Sequence, residues 1–213
     1  MNRADSRSKP WYLAPFGIVA LLVAIVLISL RPLQPHETIL KWFIRGAALL
    51  GYQAIFLSIV SSLYMRQMLR WFGRPFVRVH HILSVTGLAL IVLHPIGVAW
   101  DSLSIAVFVP AVDSWISFFT NGGRVAWYLF AIASLAALLR KGIGQNWRLI
   151  HYLTYVAFWM ASAHALLLGT NTQYVAVRVV ASAMATTTLA ILVQKRVQAG
   201  RRQAAKARKP PSA

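Results

Sequence analysis

HHILSVTGLALIVLH, His80 to His94, sets histidines at both ends of a run with no acid, amide or further base inside it, and the uncharged stretch continues to Trp100. A hydrocarbon core about 30 Å thick is crossed by roughly 20 apolar residues at about 1.5 Å each. The stretch therefore reads as a membrane-spanning helix. Its imidazoles fall near the two faces of the bilayer, about 20 Å apart along the helix.

The rest of the chain has the same character. Of 213 residues, 58% are hydrophobic and 12% charged, and the mean hydropathy is +0.61, values of an integral membrane protein. The count of cysteines is 0, which excludes disulfide scaffolds, thiolate metal sites, iron–sulfur clusters and cysteine nucleophiles. Histidine remains the strong nitrogen ligand.

Measured against bilayer thickness, Trp11 to Leu30, Gly46 to Met65, His80 to Trp100 and Leu149 to Gly169 qualify as spans. Val125 to Leu139 reaches span length with Gly122, Gly123 and a snorkelling Arg124, and Tyr174 to Gln194 qualifies with Arg178 near one end. The expectation is an all-α bundle of six membrane helices over 11–194, after a cytoplasmic tail of residues 1–10 and before a disordered basic tail of residues 195–213. Ile105 to Phe119, interrupted by Pro110 and Asp113, is expected to be interfacial or re-entrant. The N-terminal apolar run is too long, and lacks the small-residue site, for a cleaved signal peptide, so a retained helix is expected.

Lys and Arg alternate between loops as the positive-inside rule requires. Arg3, Arg7 and Lys9, then Arg66, Arg70, Arg74 and Arg78, then Arg140, Lys141 and Arg148, and finally Lys195, Arg196 and the bases after them mark one side. Asp101 and Asp113 mark the other. Both termini are expected in the cytoplasm, with the chain in a bacterial inner membrane. The net charge of +18 is then a topology signal that also attracts anionic lipid head groups, and nucleic acid is not an expected partner.

Of six histidines, His80, His81 and His94 fall in the third predicted helix and His151 and His164 in the fifth, while His36 lies in a loop. Ionisable groups inside a span are costly and point to function. These two helices run in the same direction, so each membrane level receives one histidine from each, the donor set for two stacked bis-histidine haems. His80 and His94, 14 positions apart, lie about 40° apart around a straight helix, and Gly87 sits midway on that face, where a macrocycle edge could approach. His81 is out of phase with His94 and reads better as a neighbour of the cofactor or of its propionates. His151 and His164, 13 apart, differ by about 140° on a straight helix, so the fifth helix needs tilt, unlike rotamers or local rewinding. Phe158, between them, is either ordinary core or a ring between cofactors.

RVHHILSVTGLALIVLHP and WRLIHYLTYVAFWMASAH resemble the histidine-bearing helices of the ferric reductase-like transmembrane domain family, the membrane haem domain of ferric reductases and NADPH oxidases. They are also similar to the haem-binding membrane subunit of the methionine sulfoxide reductase system. That subunit has a basic residue in place of His80, and many relatives have glycine in place of Ser84, which favours the wider ferric-reductase type. The resemblance implies two b-type haems, an inner one on His80 and His151 and an outer one on His94 and His164, with Arg78 and Arg148 among the candidates for the inner propionates. Arg45 and Arg124 are the outer counterparts. Relatives usually carry a flavin and nicotinamide domain after the sixth helix, which is not found in the residues after Gln194, so a separate flavin- or quinol-dependent donor and an external electron acceptor are expected. The chain would be the electron-transfer subunit of a larger oxidoreductase. The rival readings are a histidine-containing proton or metal-ion transporter or channel, and a haem-free membrane anchor for a redox partner. The acids Asp5, Glu37, Asp101 and Asp113 all lie outside the predicted spans, which leaves a transporter without a buried carboxylate.

Overall fold

A computed structural model describes residues 38–65, 69–70 and 75–207, and the elements found there are helices, with no strand among the described residues. In chain order they are α1 (Ile39–Leu63), α2 (Pro75–Ser102), a 3₁₀ turn (Ile105–Phe108), α3 (Trp115–Thr120), α4 (Gly122–Leu138), α5 (Arg140–Ile143), α6 (Trp147–His151), α7 (Leu153–Leu168) and α8 (Val175–Ala207). The predicted first span, Trp11 to Leu30, lies outside the described residues.

Among the described residues three helices are long and apolar enough to cross a membrane: α1, α2 and α8. Gly122–Leu168 qualifies as a fourth, broken unit bent by 77°. Two expected boundaries need correction. The helix expected from Gly46 begins seven residues earlier at Ile39, taking in Lys41 and Arg45, because Thr38 caps it by accepting from the Lys41 N–H at 3.4 Å. At the other end, α8 does not stop at Gln194 but continues through the basic segment to Ala207. Its Ala, Arg, Lys and Gln residues are strong helix formers and carry no proline before Pro210. The segment 195–207 is thus helical rather than a disordered tail; 208–213 lie outside the described residues.

Between α2 and α4 the chain forms short pieces only, as Pro110 and Asp113 suggested. Ser104 and Ser114 cap them, accepting from Ala106 N at 3.2 Å and Ser117 N at 3.1 Å. The segment is tied down by α4, where Arg124 donates to Val109 O at 2.7 Å and the Tyr128 hydroxyl to Phe108 O at 2.8 Å.

The bundle is built from two antiparallel hairpins, α1 with α2 and α4 with α6–α7, and α8 packs on both α1 and α7. Helices in lipid gain little from hydrophobic association and approach through small residues instead. At the α1–α2 seam a side chain on Gly51 would meet Leu90 Cβ at 3.0 Å, and one on Gly97 would meet Ile44 Cγ1 at 2.6 Å. Gly87 belongs to this seam: a Cβ there would lie 2.9 Å from Ile55 Cδ1 and 3.1 Å from Ile55 N. Its expected role as a cradle for a macrocycle edge is corrected accordingly, since the space beside it is filled by Ile55.

The centre holds an aromatic group. Phe158, fully buried, stacks on Tyr52 with centroids 4.5 Å apart and lies 6.1 Å from Phe56. The Tyr52 hydroxyl sits 2.8 Å from Ser162 Oγ and 3.3 Å from Ala181 O, joining α1, α7 and α8. Replacing Gly87 by Val forces the Ile55 backbone aside and should cost about 1–3 kcal/mol of stability. Thermal unfolding in detergent measures this, and an unchanged midpoint would contradict the close seam.

Candidate functional site

The two histidine-bearing units, α2 with His80 and His94 and α6–α7 with His151 and His164, are not among the principal packed pairs. Each leans instead on its own hairpin partner, and its histidines are what reach across. His80 Nδ1 lies 3.1 Å from Ser58 O, and His94 Nδ1 lies 3.1 Å from Ile44 O, both on α1. His151 Nδ1 lies 3.2 Å from Ala133 O on α4, and His164 Nδ1 lies 2.8 Å from Thr120 O at the end of α3. A carbonyl can only accept, so in each ring Nδ1 carries the proton and Nε2 keeps its lone pair. In hydrocarbon, where a stray donor finds no water, these bonds hold the tautomer firmly.

The spacing on the receiving side matches the spacing of the rings. Ser58 and Ile44 are 14 apart, as are His80 and His94, while Ala133 and Thr120 are 13 apart, as are His151 and His164. Both antiparallel registers therefore stay constant from one histidine level to the other.

Local rewinding reduces the phase difference of the 13-residue pair. The helix is interrupted at Tyr152, whose N–H bonds to Leu149 O as well as Arg148 O, each at 3.2 Å, and Tyr155 N bonds to Tyr152 O at 3.0 Å. Three-residue turns advance about 120° per residue instead of 100°, which swings His164 back toward the side of His151. The facing helix breaks too, at Asn121. Arg124 N bonds to Asn121 O at 2.9 Å, and Thr120 O accepts from His164.

The four rings fall into two levels. His80 lies within electrostatic reach of His151, and His94 within reach of His164. At the first level a partly enclosed cavity of about 240 Å³ separates the helices, with His80 and His151 both in its wall. Ile55, Ile59, Leu88 and Phe130 make its apolar sides, and Ser58, Ser62, Ser84, Ser134 and Thr154 line it with hydroxyls. Arg148 and Lys195 also line it, so this is the basic end of the bundle. Asp101 and Asp113 follow the other level in the chain.

Of the remaining predicted site residues, Arg148 lines the cavity and lies over the Trp147 ring at 5.7 Å. Arg78 does not join it: two residues before His80 it points about 200° away around the helix, and it is exposed. His81 is also exposed, its ring 5.9 Å from that of His80. It makes no hydrogen bond comparable with those of the other four. The choice between His80 and His81 as the cavity residue falls to His80. Arg124 is engaged by Val109 O, and Phe158 is packed in the aromatic centre.

Several site residues carried no signal in the sequence. Lys195, expected only as a topology charge, donates to Ser62 Oγ at 2.8 Å and lies 5.6 Å from the Tyr155 ring centroid. Gly123 lies under the His164 ring, where a Cβ would come within 2.8 Å of Cδ2 and 3.0 Å of Nε2. The serines around His80 are ordinary in a membrane helix until their partners are known. Among the described residues no group of three His, Cys, Asp or Glu side chains comes together to hold a metal ion.

Comparison with family models, curated proteins and solved structures finds no match to this chain. Nitrogen NMR of the histidine-labelled, cofactor-free protein should show the Nδ1–H tautomer at His80, His94, His151 and His164. Nε2–H tautomers at those positions would contradict the carbonyl bonds.

Proposed function

We propose that the chain is a b-type cytochrome that carries electrons across a membrane through two bis-histidine haems, one on His80 and His151 and the other on His94 and His164. The observation that carries this reading is that Nδ1 of all four rings meets a backbone carbonyl, which gives them one tautomer. A metal-bound histidine characteristically donates its second N–H to a backbone carbonyl or carboxylate, which orients the ring and makes the other nitrogen a better ligand. Four such donations, in two levels, supply two Nε2 lone pairs per level.

The donor set suits haem better than a bare ion. A structural or catalytic protein-only metal site draws three or four side-chain ligands, and no such group occurs among the described residues. Two histidines suffice where a porphyrin provides the other four nitrogens. The cavity wall is right for a flat amphipathic group: aliphatic and aromatic sides, with Arg148 and Lys195 available to carboxylates. When bound, haem supplies a one-electron couple, and two axial histidines leave no coordination position for oxygen.

The protein's own contribution is positional. Ser58, Ile44, Ala133 and Thr120 hold the rings by their carbonyls, Gly123 makes room for His164, and Tyr152 provides the rewound turn. Tyr52 and Phe158 fill the core between the levels and exclude water there. The full reading has six membrane helices, with α4 and α6–α7 crossing separately and Trp11–Leu30 as the first, and both termini on the cytoplasmic side of a bacterial inner membrane. A flavin- or quinol-dependent donor would deliver electrons at the basic end, and an external acceptor would take them from the other.

The purified protein should show a Soret band, sharpened α and β bands on reduction, and two haems per chain. His94→Ala or His164→Ala should leave one. A colourless protein that moves protons or metal ions, or one that is colourless and inert, would replace this reading with a transporter or an anchor.

A further inference from the structure

His80 is held unlike the other three histidines. His94, His151 and His164 each meet one backbone carbonyl. His80 Nδ1 lies 3.1 Å from Ser58 O but only 2.9 Å from Ser61 Oγ. Ser61 Oγ in turn donates its own proton to Ser58 O at 2.7 Å. A hydroxyl has one proton, so with that proton committed Ser61 can meet Nδ1 only as an acceptor.

A second chain of bonds closes around the same ring. Ser84 Oγ donates to His80 O at 2.8 Å, so at the 2.6 Å contact between Ser58 Oγ and Ser84 Oγ the donor is Ser58. Ser58 Oγ is farther from Nδ1, at 3.3 Å. Every hydroxyl proton in the cluster then has one acceptor: His80 Nδ1–H is shared between Ser61 Oγ and the Ser58 carbonyl, Ser61 donates to that same carbonyl, and the second chain runs from Ser58 to Ser84 to the His80 carbonyl. No water is needed to complete it. Such a network, fully satisfied in a low-dielectric setting, rigidifies what it surrounds.

We propose that Ser61 is the positioning residue of His80: its hydroxyl oxygen shares the Nδ1 proton with the Ser58 carbonyl, fixes the ring's plane at the cavity wall and makes Nε2 a more electron-rich ligand to the inner haem. This rests on the haem reading above. A more basic axial ligand stabilises ferric over ferrous iron, so Ser61 lowers the potential of the inner haem and leaves the outer haem untouched. Ser58 Oγ, committed to Ser84, contributes less.

The test compares Ser61→Ala, Ser61→Thr and Ser58→Ala with the parent in the purified full chain, by haem retention, redox titration followed in the visible spectrum, and nitrogen NMR of the histidines in cofactor-free protein. In Ser61→Ala the inner haem should dissociate about 10–100-fold more readily and titrate at a higher potential. The outer haem should not move. Ser61→Thr, which keeps the hydroxyl, should restore both properties, and Ser58→Ala should show the smaller change. In cofactor-free Ser61→Ala, His80 should keep the Nδ1–H tautomer on the Ser58 carbonyl, as its three counterparts do on theirs, while its ring nitrogen resonances alone should shift. An inner haem in Ser61→Ala with unchanged retention and potential overturns the proposal. If the parent binds no haem, the cytochrome reading fails, and the NMR result alone then decides whether Ser61 positions His80: unshifted His80 nitrogen resonances in Ser61→Ala would say that it does not.

Discussion

The bond from a histidine Nδ1–H to a carbonyl on the antiparallel neighbour is the interaction on which the arrangement depends. It is made four times, twice in each hairpin. In water such a bond contributes about 1 kcal/mol net, but a polar group without a partner in hydrocarbon costs several. A ring N–H facing lipid is thus excluded, and the helix carrying it must keep a carbonyl opposite at the right height. Since each hairpin makes the bond at both histidine levels, a slip of either helix would break two bonds at once. Register, ring orientation and tautomer are therefore settled by one contact.

That contact requires the helices to be close. Small residues provide the closeness, and they lie where the histidine bonds are. Gly97 faces Ile44, the residue whose carbonyl receives His94, while Gly87 and Gly51 bring the α1 and α2 backbones together between the levels. On the other hairpin Gly122 approaches Met160 O and Gly123 lies beneath the His164 ring. The glycines do for the seams what a macrocycle cradle was expected to explain at Gly87. The space that remains at the first level is bounded by α1, α2, α4, α6, α7 and α8.

The sequence made the span of α2 and the helix of α4 legible because hydrocarbon thickness acts on composition directly, and the short pieces around Pro110 and Asp113 were legible from those two residues. Paired histidines were legible because ionisable groups are rare at such depth. What escaped was anything decided by a partner helix. Thr38 moves the start of α1 outward past Lys41 and Arg45, which a charge-based boundary had placed in a loop. The turn at Tyr152 leaves no proline or glycine to betray it; the need for rewinding could be deduced from the 13-residue spacing, its location could not. Ser61, Ser84 and Lys195 gain meaning only from residues 19 to 133 positions away in the chain.

The two histidine levels are chemically unequal even though every ring meets a backbone carbonyl. At the first, Arg148 and Lys195 stand in the cavity wall and hydroxyls line it, so an anionic edge meets cations and donors as it enters. Beside the second, Arg124 of α4 is bound to Val109 O, and Tyr128 is bound to Phe108 O. Those bonds pull the apolar segment of residues 105–120 toward α4, and the last carbonyl of that segment, on Thr120, is the one that receives His164. The connection between α2 and α4 is thus part of the support for the second level. A change in the segment's position alters the ring it holds, whereas the first level is supported by helices alone. The second level therefore depends on the placement of the connecting segment and the first does not, because of which backbone carbonyl each histidine uses.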